Sequence, residues 1–480
     1  MKKKNIILPF AILLVMGTLF SGCESKAKEK KRDKIKEIAW PCLNPPSMSA
    51  AMPKDTILSD QSSFNCFAWQ EFIAANWPSK PNEAFGLPGS YTPVVFETYM
   101  STQEFLKPDG SRPPKWDERS YAKYDKNTDI RTMHATSKIT VDFDPSQALE
   151  QAFPAKSDKA WLADKDGNLV WYEILVNKDE YNYIYKNKFY NSMQQYKAAE
   201  SGTHIDLPLG DLNGKVGAME FKAAWLSVEN ENDAKWKRYK MSKAKVCFYD
   251  GICKTKAFAM VGLHIIHKTT SQASWVWATF EHMDNAPDEK DVNQGTVSGD
   301  YNFYSDSCEE RDIAPECING VINQKTSCKL NTPPAYALNF VDGKASGKCQ
   351  PYPIQVAREF PIPATHENPV VQTNEAAHKL IKEASASSVY QYYNLVNVLW
   401  NDAAVNENKA KELPLNSLSK TGFRPNSHTY PVANTVLETY IQDTTCISCH
   451  SIATLTPPKH GKKFASDYSF VFSLAGPQKE

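Results

Sequence analysis

The sequence has no surplus of charge of either sign: 55 Lys and Arg stand against 55 Asp and Glu in 480 residues. That balance argues against nucleic-acid binding, which needs a basic surplus to meet phosphate. Glycine is sparse, 20 residues against 30 prolines, so the loops are expected to be rigid rather than free. No internal repeat of solenoid or propeller period is visible. There is no glycine-rich nucleotide fingerprint, no nucleophile elbow and no dense cluster of histidines and carboxylates. What is present is ordinary for a globular chain: 41% hydrophobic, 23% charged and 11% aromatic residues. The length exceeds what one core usually supports and predicts two or three domains.

The first residues form an export signal. "MKKKN" is a positive n-region, "IILPFAILLVMGTLF" an apolar h-region, and "SGC" places small residues before Cys23. The run is short for a membrane span and contains Pro9. "LFSGC" resembles a bacterial lipobox, with Phe20 where Leu or Val is usual. That resemblance implies cleavage after residue 22 and a lipid on Cys23; the alternative is a plain secretory signal. Residues 23–39 continue as a charged tether, too poor in apolar side chains to fold alone. The mature chain is therefore expected in the bacterial cell envelope as a periplasm-facing lipoprotein, with the outer membrane the expected site of anchoring.

An exported chain makes disulfides available. Of 11 cysteines, Cys23 goes to lipid, and Cys446 and Cys449 belong to a C-terminal motif. Eight remain: Cys42, Cys66, Cys247, Cys253, Cys308, Cys317, Cys328 and Cys349. The even number fits a disulfide set, and local pairs Cys247–Cys253 and Cys328–Cys349 are expected.

The middle of the chain reads as a β-rich body. "GAMEFKAAWL" (217–226) partly alternates, while "AFAMVGLHIIHK" (257–268) and "SWVWATF" (274–280) are β-branched and aromatic runs suited to central strands. "KAWLADKDGNLVWYEIL" (159–175) reads as a hairpin, and its Asp164, Asp166 and Asn168 suit a turn better than an incomplete calcium loop. "SSFNCFAWQEFIAANWP" (62–78) reads as a core helix with Ser63 at its start and Pro78 at its stop. Beyond residue 370 helical spacing dominates, in 373–386 and again in 431–444, where Val432, Val436 and Tyr440 fall four apart. The expected fold is α+β: a β-rich body over 40–370 and a smaller, mainly helical segment over 371–480.

The second helix leads into "TTCISCHSIATL" (444–455). Covalent haem attachment needs two thiols to add to the porphyrin vinyl groups, and the two-residue gap sets their reach. A histidine immediately after them lies under the ring and ligates iron. Cys446-x-x-Cys449-His450 therefore reads as c-type haem attachment. Three other readings compete: a disulfide beside an incidental histidine, a thiol–disulfide exchange site, and a zinc site borrowing His460. Exchange sites normally follow a strand in a βαβ unit, and a zinc site lacks a second C-x-x-C.

The motif resembles class I cytochrome c over the attachment site alone. Those proteins carry a methionine ligand further along, whereas no Met follows His450 here. "FNCFAWQEFIAANWP", "GLHIIHKT", "WVWATFEHMDN" and "NTVLETYIQDTTCISCH" resemble exported bacterial cytochrome c family proteins that carry one C-x-x-C-H near the C-terminus. The resemblance implies a single covalent haem c and no particular substrate. The sixth iron position stays open among His264, His428 and His460, with Met260 and Met283 as further candidates. His264 is expected to share its strand face with Met260 and Gly262. His264 and His267, three apart on a strand, face opposite ways and are not expected to share a metal. A closed sixth position favours electron transfer; an open one allows a small ligand or peroxide to reach the iron.

The leading expectation is a lipid-anchored monohaem electron-transfer protein with a redox partner protein in the envelope and no nucleic-acid partner. A haem-dependent oxidoreductase with its catalytic site in the large body is the first alternative. A disulfide-rich binding lipoprotein without haem is the second.

Overall fold

The aromatic and β-branched runs of the middle chain pair into one eight-stranded sheet. The computed structural model describes residues 40–58, 60–118, 132–133, 161–247, 253–338, 340–341, 344–362, 365–400, 432–443, 445–450, 453–458 and 461–477. Its strands are β1 (Met100–Ser101), β2 (Thr132–Met133), β3 (Val170–Val176), β4 (Met219–Val228), β5 (Met241–Cys247), β6 (Cys253–His267), β7 (Val276–His282), β8 (Phe340–Val341), β9 (Lys344–Ala345) and β10 (Tyr393–Leu399). Its α-helices are α1 (Gln61–Ala75), α2 (Thr102–Phe105), α3 (Lys178–Lys186), α4 (Ser192–Glu200), α5 (Glu289–Gln294), α6 (Pro369–Ala384) and α7 (Cys446–His450). An α+β fold with a β-rich body is what the strand-forming runs predicted, and β10 continues the sheet beyond residue 370.

The long strand β6 organises the sheet. One edge pairs with β4, and the other pairs first with β5 and then with β7, which in turn pairs with β10. Register sets two faces, because successive side chains alternate. One face carries Phe221, Leu263, Ile265 and Phe280 and is covered by helices. Trp69 and Phe72 of α1 meet the Phe280 ring at centroid distances of 5.1 and 4.4 Å. Helix α6 locks behind them, the Trp69 indole donating to Asn374 Oδ1 at 3.0 Å. Helix α1 begins at Asp60, whose side chain accepts the Ser63 amide at 2.8 Å. Ser63 therefore lies inside the helix rather than capping it.

The other face carries three cross-strand rows: Glu220–Ile266–Trp277, Lys222–His264–Thr279 and Ala224–Gly262–Glu281. The chain from Val432 to Gln442 lies on it. That stretch was expected to be helical, but it runs as extended chain and turns. Some of its polar groups bond within the stretch, as Glu438 N does to Asn434 O at 2.8 Å, and others are taken by the sheet. Thr435 N donates to Glu281 Oε2 at 2.9 Å, Val436 O accepts the Tyr172 hydroxyl at 3.0 Å, and the Asn434 side-chain Nδ2 donates to Phe280 O at 2.8 Å. Tertiary hydrogen bonds override the four-residue spacing. The described part of 371–480 is thus less helical than expected.

A second correction concerns β6. Ala224 pairs with Gly262 but Trp225 pairs with Met260, so Val261 is an extra residue at a bulge. One inserted residue reverses the alternation. Met260 therefore faces the helical layer, opposite to His264 and Gly262.

Of the two expected local disulfides, one does not form. Cys42–Cys66, Cys308–Cys328 and Cys317–Cys349 are bonded, so Cys328 does not pair with Cys349. The two later bridges interleave, because the loop folds back on itself and sets those Cα atoms 5.8 and 5.6 Å apart. Cys247 stands opposite Cys253 in the β5–β6 ladder, and Cys253 is disulfide-bonded. The 164–168 turn matches its reading: Asp164 Oδ1 accepts the Asp166 and Asn168 amides at 3.0 and 2.8 Å, as an Asx-type turn does. Ahead of β3 only an isolated Ala163–Leu169 bridge forms, and β3 pairs with β4 and β1 rather than closing a full hairpin.

Candidate functional site

The motif residues Cys446 to His450 form the single turn α7. Four residues apart on a helix, Cys446 and His450 lie on one side of it. Cys446 is a buried thiol, and His450 is 9% exposed. The side chain of Cys449 lies outside the described residues.

His450 is held from two directions. Its Nδ1 donates to the Tyr468 carbonyl at 2.7 Å. Trp277 meets the imidazole at 4.5 Å between centroids and Phe470 meets it at 5.0 Å, both edge-on. Burial pushes the imidazole pKa down to about 3. The Tyr468 carbonyl opposes that shift, Lys222 and His264 add to it, and Glu438 opposes it. The ring is therefore neutral at physiological pH, with Nδ1 carrying the proton and Nε2 the lone pair. A ligating histidine needs that tautomer, and a backbone carbonyl on the second nitrogen is its usual anchor.

The loop that presents the Tyr468 carbonyl is itself strained. Asp467 and Tyr468 have φ of 56° and 63°, left-handed values that favour glycine. Two contacts from the sheet side hold the first of them. The Trp275 indole donates to Asp467 O at 3.0 Å, and Lys268 Nζ reaches Asp467 Oδ2 at 2.6 Å. Strain of this kind persists only where surrounding contacts fix it, and here it aims a carbonyl at His450.

The sheet face beside His450 supplies Lys222, His264 and Ile266. His264 Nε2 is hydrogen-bonded to Glu438 Oε1 at 2.9 Å, with both side chains buried. Gly262 lets the chain above come this close. A Cβ there would stand 2.7 Å from Val436 Cγ2 and 3.0 Å from Asn434 Oδ1. At the other end of the segment, Arg358 pairs with Glu281 and the Arg358 Nη1 points to Ala433 O at 3.5 Å.

Of the candidates for a sixth ligand, His264 lies on the same sheet face as Trp277, which packs on His450. Met260 faces the other layer. Met283 follows the far end of β7 from Trp277, roughly 20 Å away along an extended strand. His428 and His460 lie outside the described residues, as does Cys23. His267 faces the helical layer, with Nδ1 2.5 Å from Glu71 Oε1 and Nε2 donating to Val216 O; it stands apart from His264 as the strand geometry requires. Among the described residues no group of three or more His, Cys, Asp or Glu side chains is arranged to hold a metal ion.

Two of the three donors that covalent haem attachment uses are described: a buried Cys446 one helical turn before a neutral, anchored imidazole in aromatic surroundings. Sequence reading missed Tyr468, Glu438, Trp277 and Phe470 as neighbours of the site. "SWVWATF" signalled a strand, and Gly262 within a strand pattern was a sign of close backbone approach. Nothing local marks Tyr468, whose role depends on the fold. No family model, no curated protein and no solved structure matches the chain.

Proposed function

We propose that this chain is an exported, lipid-anchored c-type cytochrome of the cytochrome c family that moves single electrons in the bacterial cell envelope. One haem c is bound through Cys446 and Cys449, and His450 ligates the iron through Nε2. Lipid on Cys23 anchors it, facing the periplasm at the outer membrane, and its electron partner is another envelope protein. The observation that carries this reading is the His450 Nδ1–Tyr468 carbonyl bond inside a buried aromatic site. It pre-sets the tautomer and direction of a proximal ligand. A haem supplies one-electron chemistry, and this chain's residues orient the imidazole, exclude water and set the charge around it.

One observation favours a second reading. His264 and Glu438 form a buried hydrogen-bonded pair on the sheet face beside His450. Such a pair can hold and transfer a proton next to an open iron position, which suits a haem-dependent oxidoreductase. The two readings separate in the reduced protein under carbon monoxide. Electron transfer with His264 as sixth ligand predicts no spectral shift, and a shift in the His264→Ala variant. An immediate shift in the native protein favours the second reading.

A further inference from the structure

Below the loop that anchors His450 lies a second buried cluster, built from carboxyl groups. Glu180 from α3 is fully buried and Glu220 from β4 is 6% exposed. The start of α3 is tied to the start of β4, Asn177 Oδ1 accepting the Met219 amide at 3.2 Å and its Nδ2 donating to Gly217 O at 2.7 Å, and this brings the two carboxyls within reach of one another. Both oxygens of Glu180 and Oε1 of Glu220 have no hydrogen-bond donor. Asp467 from the Tyr468 loop joins them, and Lys268, also buried, is the ammonium beside it. Lys268 Nζ contacts Asp467 Oδ2 at 2.6 Å and Asp206 Oδ1 at 2.8 Å. Asp206 is half exposed and is where the cluster meets water. Tyr183 is the remaining group facing the acids, its hydroxyl accepting the Asp206 amide at 2.9 Å. Lys222 lies two residues from Glu220 on the same strand face.

Three carboxyls share this space with one buried ammonium. Lys268 pairs with Asp467, which leaves Glu180 against Glu220. Two facing, desolvated carboxylates resist being ionised together, so the pair binds a proton readily, and a proton between them supplies the missing donor. Burial pushes both groups up; the Glu220 carboxylate raises Glu180 further, while hydrogen bonds from Ser469 and Glu180 and the charge of Lys222 pull Glu220 back.

The cluster is joined to the His450 seat by short covalent and hydrogen-bonded steps. Ser469, whose hydroxyl bonds to Glu220, and Asp467 flank Tyr468, the acceptor of the His450 Nδ1–H. Glu220 also begins the row Glu220–Ile266–Trp277, and Trp277 packs on His450. Two strand spacings put Glu220 on the order of 10 Å from Trp277, with an apolar side chain between. Charge at that range in a dry interior is screened weakly.

Resting on the haem reading, we infer that the Glu180–Glu220 pair is a redox-linked proton site. When one electron arrives from a reduced one-electron carrier protein, the pair takes one proton from water by way of Asp206 and the Lys268–Asp467 pair. When the electron leaves, the proton returns. The added negative charge and the added proton cancel, so reduction grows harder as pH rises.

The test is a potentiometric titration of the haem-loaded full chain between pH 5 and 8, with Glu220→Gln and Glu180→Gln beside it. The native protein is expected to lose up to about 59 mV for each tenfold fall in proton concentration, the one-electron, one-proton value. Either variant should flatten that slope. The same three proteins, unfolded in urea across this range, report the shared proton without reference to redox. The native chain should lose stability as pH rises, and the variants less so. A haem-loaded protein whose potential is flat overturns this inference alone. A slope left unchanged in both variants overturns the assignment to this pair. A chain that carries no haem overturns the inference together with the reading beneath it.

Discussion

Gly262→Ala tests the packing that brings the motif to the sheet. The backbone of Gly262 is ordinary β-strand, so alanine meets no conformational barrier there. Reducing unfolded-state freedom would by itself stabilise the protein by about 0.4–1 kcal/mol. Against that, the new methyl carbon would lie 2.7 Å from Val436 Cγ2 and within 3.3 Å of both Asn434 amide atoms. Val436 is fully buried, and Asn434 is tied to Thr279 and Phe280, so neither neighbour can retreat cheaply. Overpacking of a tight core costs about 1–3 kcal/mol. The balance is a loss of roughly 1–2 kcal/mol. Val436→Ala alone should also destabilise, by at least about 1.6 kcal/mol for two buried carbons. In the double variant the clash with Val436 is gone while the Asn434 contact remains, so Gly262→Ala should cost less than in the native background, with a coupling of about 0.5–3 kcal/mol. Urea midpoints of the four proteins measure this cycle. Strict additivity, or a stable Gly262→Ala protein, would refute the close approach of 434–438 to the sheet.

Two further predictions follow from buried charge. Arg358→Met leaves Glu281 buried without its guanidinium while Thr435 still depends on it; a loss of about 3–5 kcal/mol in urea unfolding is expected, and pairing it with Glu281→Gln should recover much of that. His282 is buried, stacks on Tyr239 at 3.7 Å, donates from Nε2 to Arg238 O and accepts the Asp284 amide at Nδ1. Burial holds its pKa down at about 3. The unfolded chain therefore binds a proton that the folded chain refuses, and this contribution to stability is full above pH 6.5 and lost as pH falls towards 3. His282→Gln should reduce the acid slope of the urea midpoint by up to one proton, and an unchanged slope would show that His282 is not held neutral.

The parts of the fold legible in the sequence were those decided by local pattern. Alternation over 217–226 and the apolar runs at 257–268 and 274–280 pointed to strands, and the aromatic face of 62–78 pointed to a helix. The failures have a common cause in long-range contact. Residues 432–442 have helical spacing but spend their polar groups on Glu281, Phe280 and Tyr172, which lie far away in sequence. Met260 was assigned a face by counting in twos, and one bulge residue, Val261, reversed it. Cys328 found Cys308 instead of Cys349 because the loop doubles back. The Cys446-x-x-Cys449-His450 spacing was plain, since it is local to five residues. The histidine's anchor at Tyr468 was not, because a carbonyl has no sequence signature.

The most direct measurement is a pyridine haemochrome spectrum of the full chain made in a host that attaches haem, denatured and extracted, beside a Cys446→Ala, Cys449→Ala double variant. Covalent haem at one equivalent in the native chain and none in the variant is the expected result. An exported, folded native chain without haem would contradict the account, and the protein would then be a disulfide-stapled chain whose buried histidine serves packing alone.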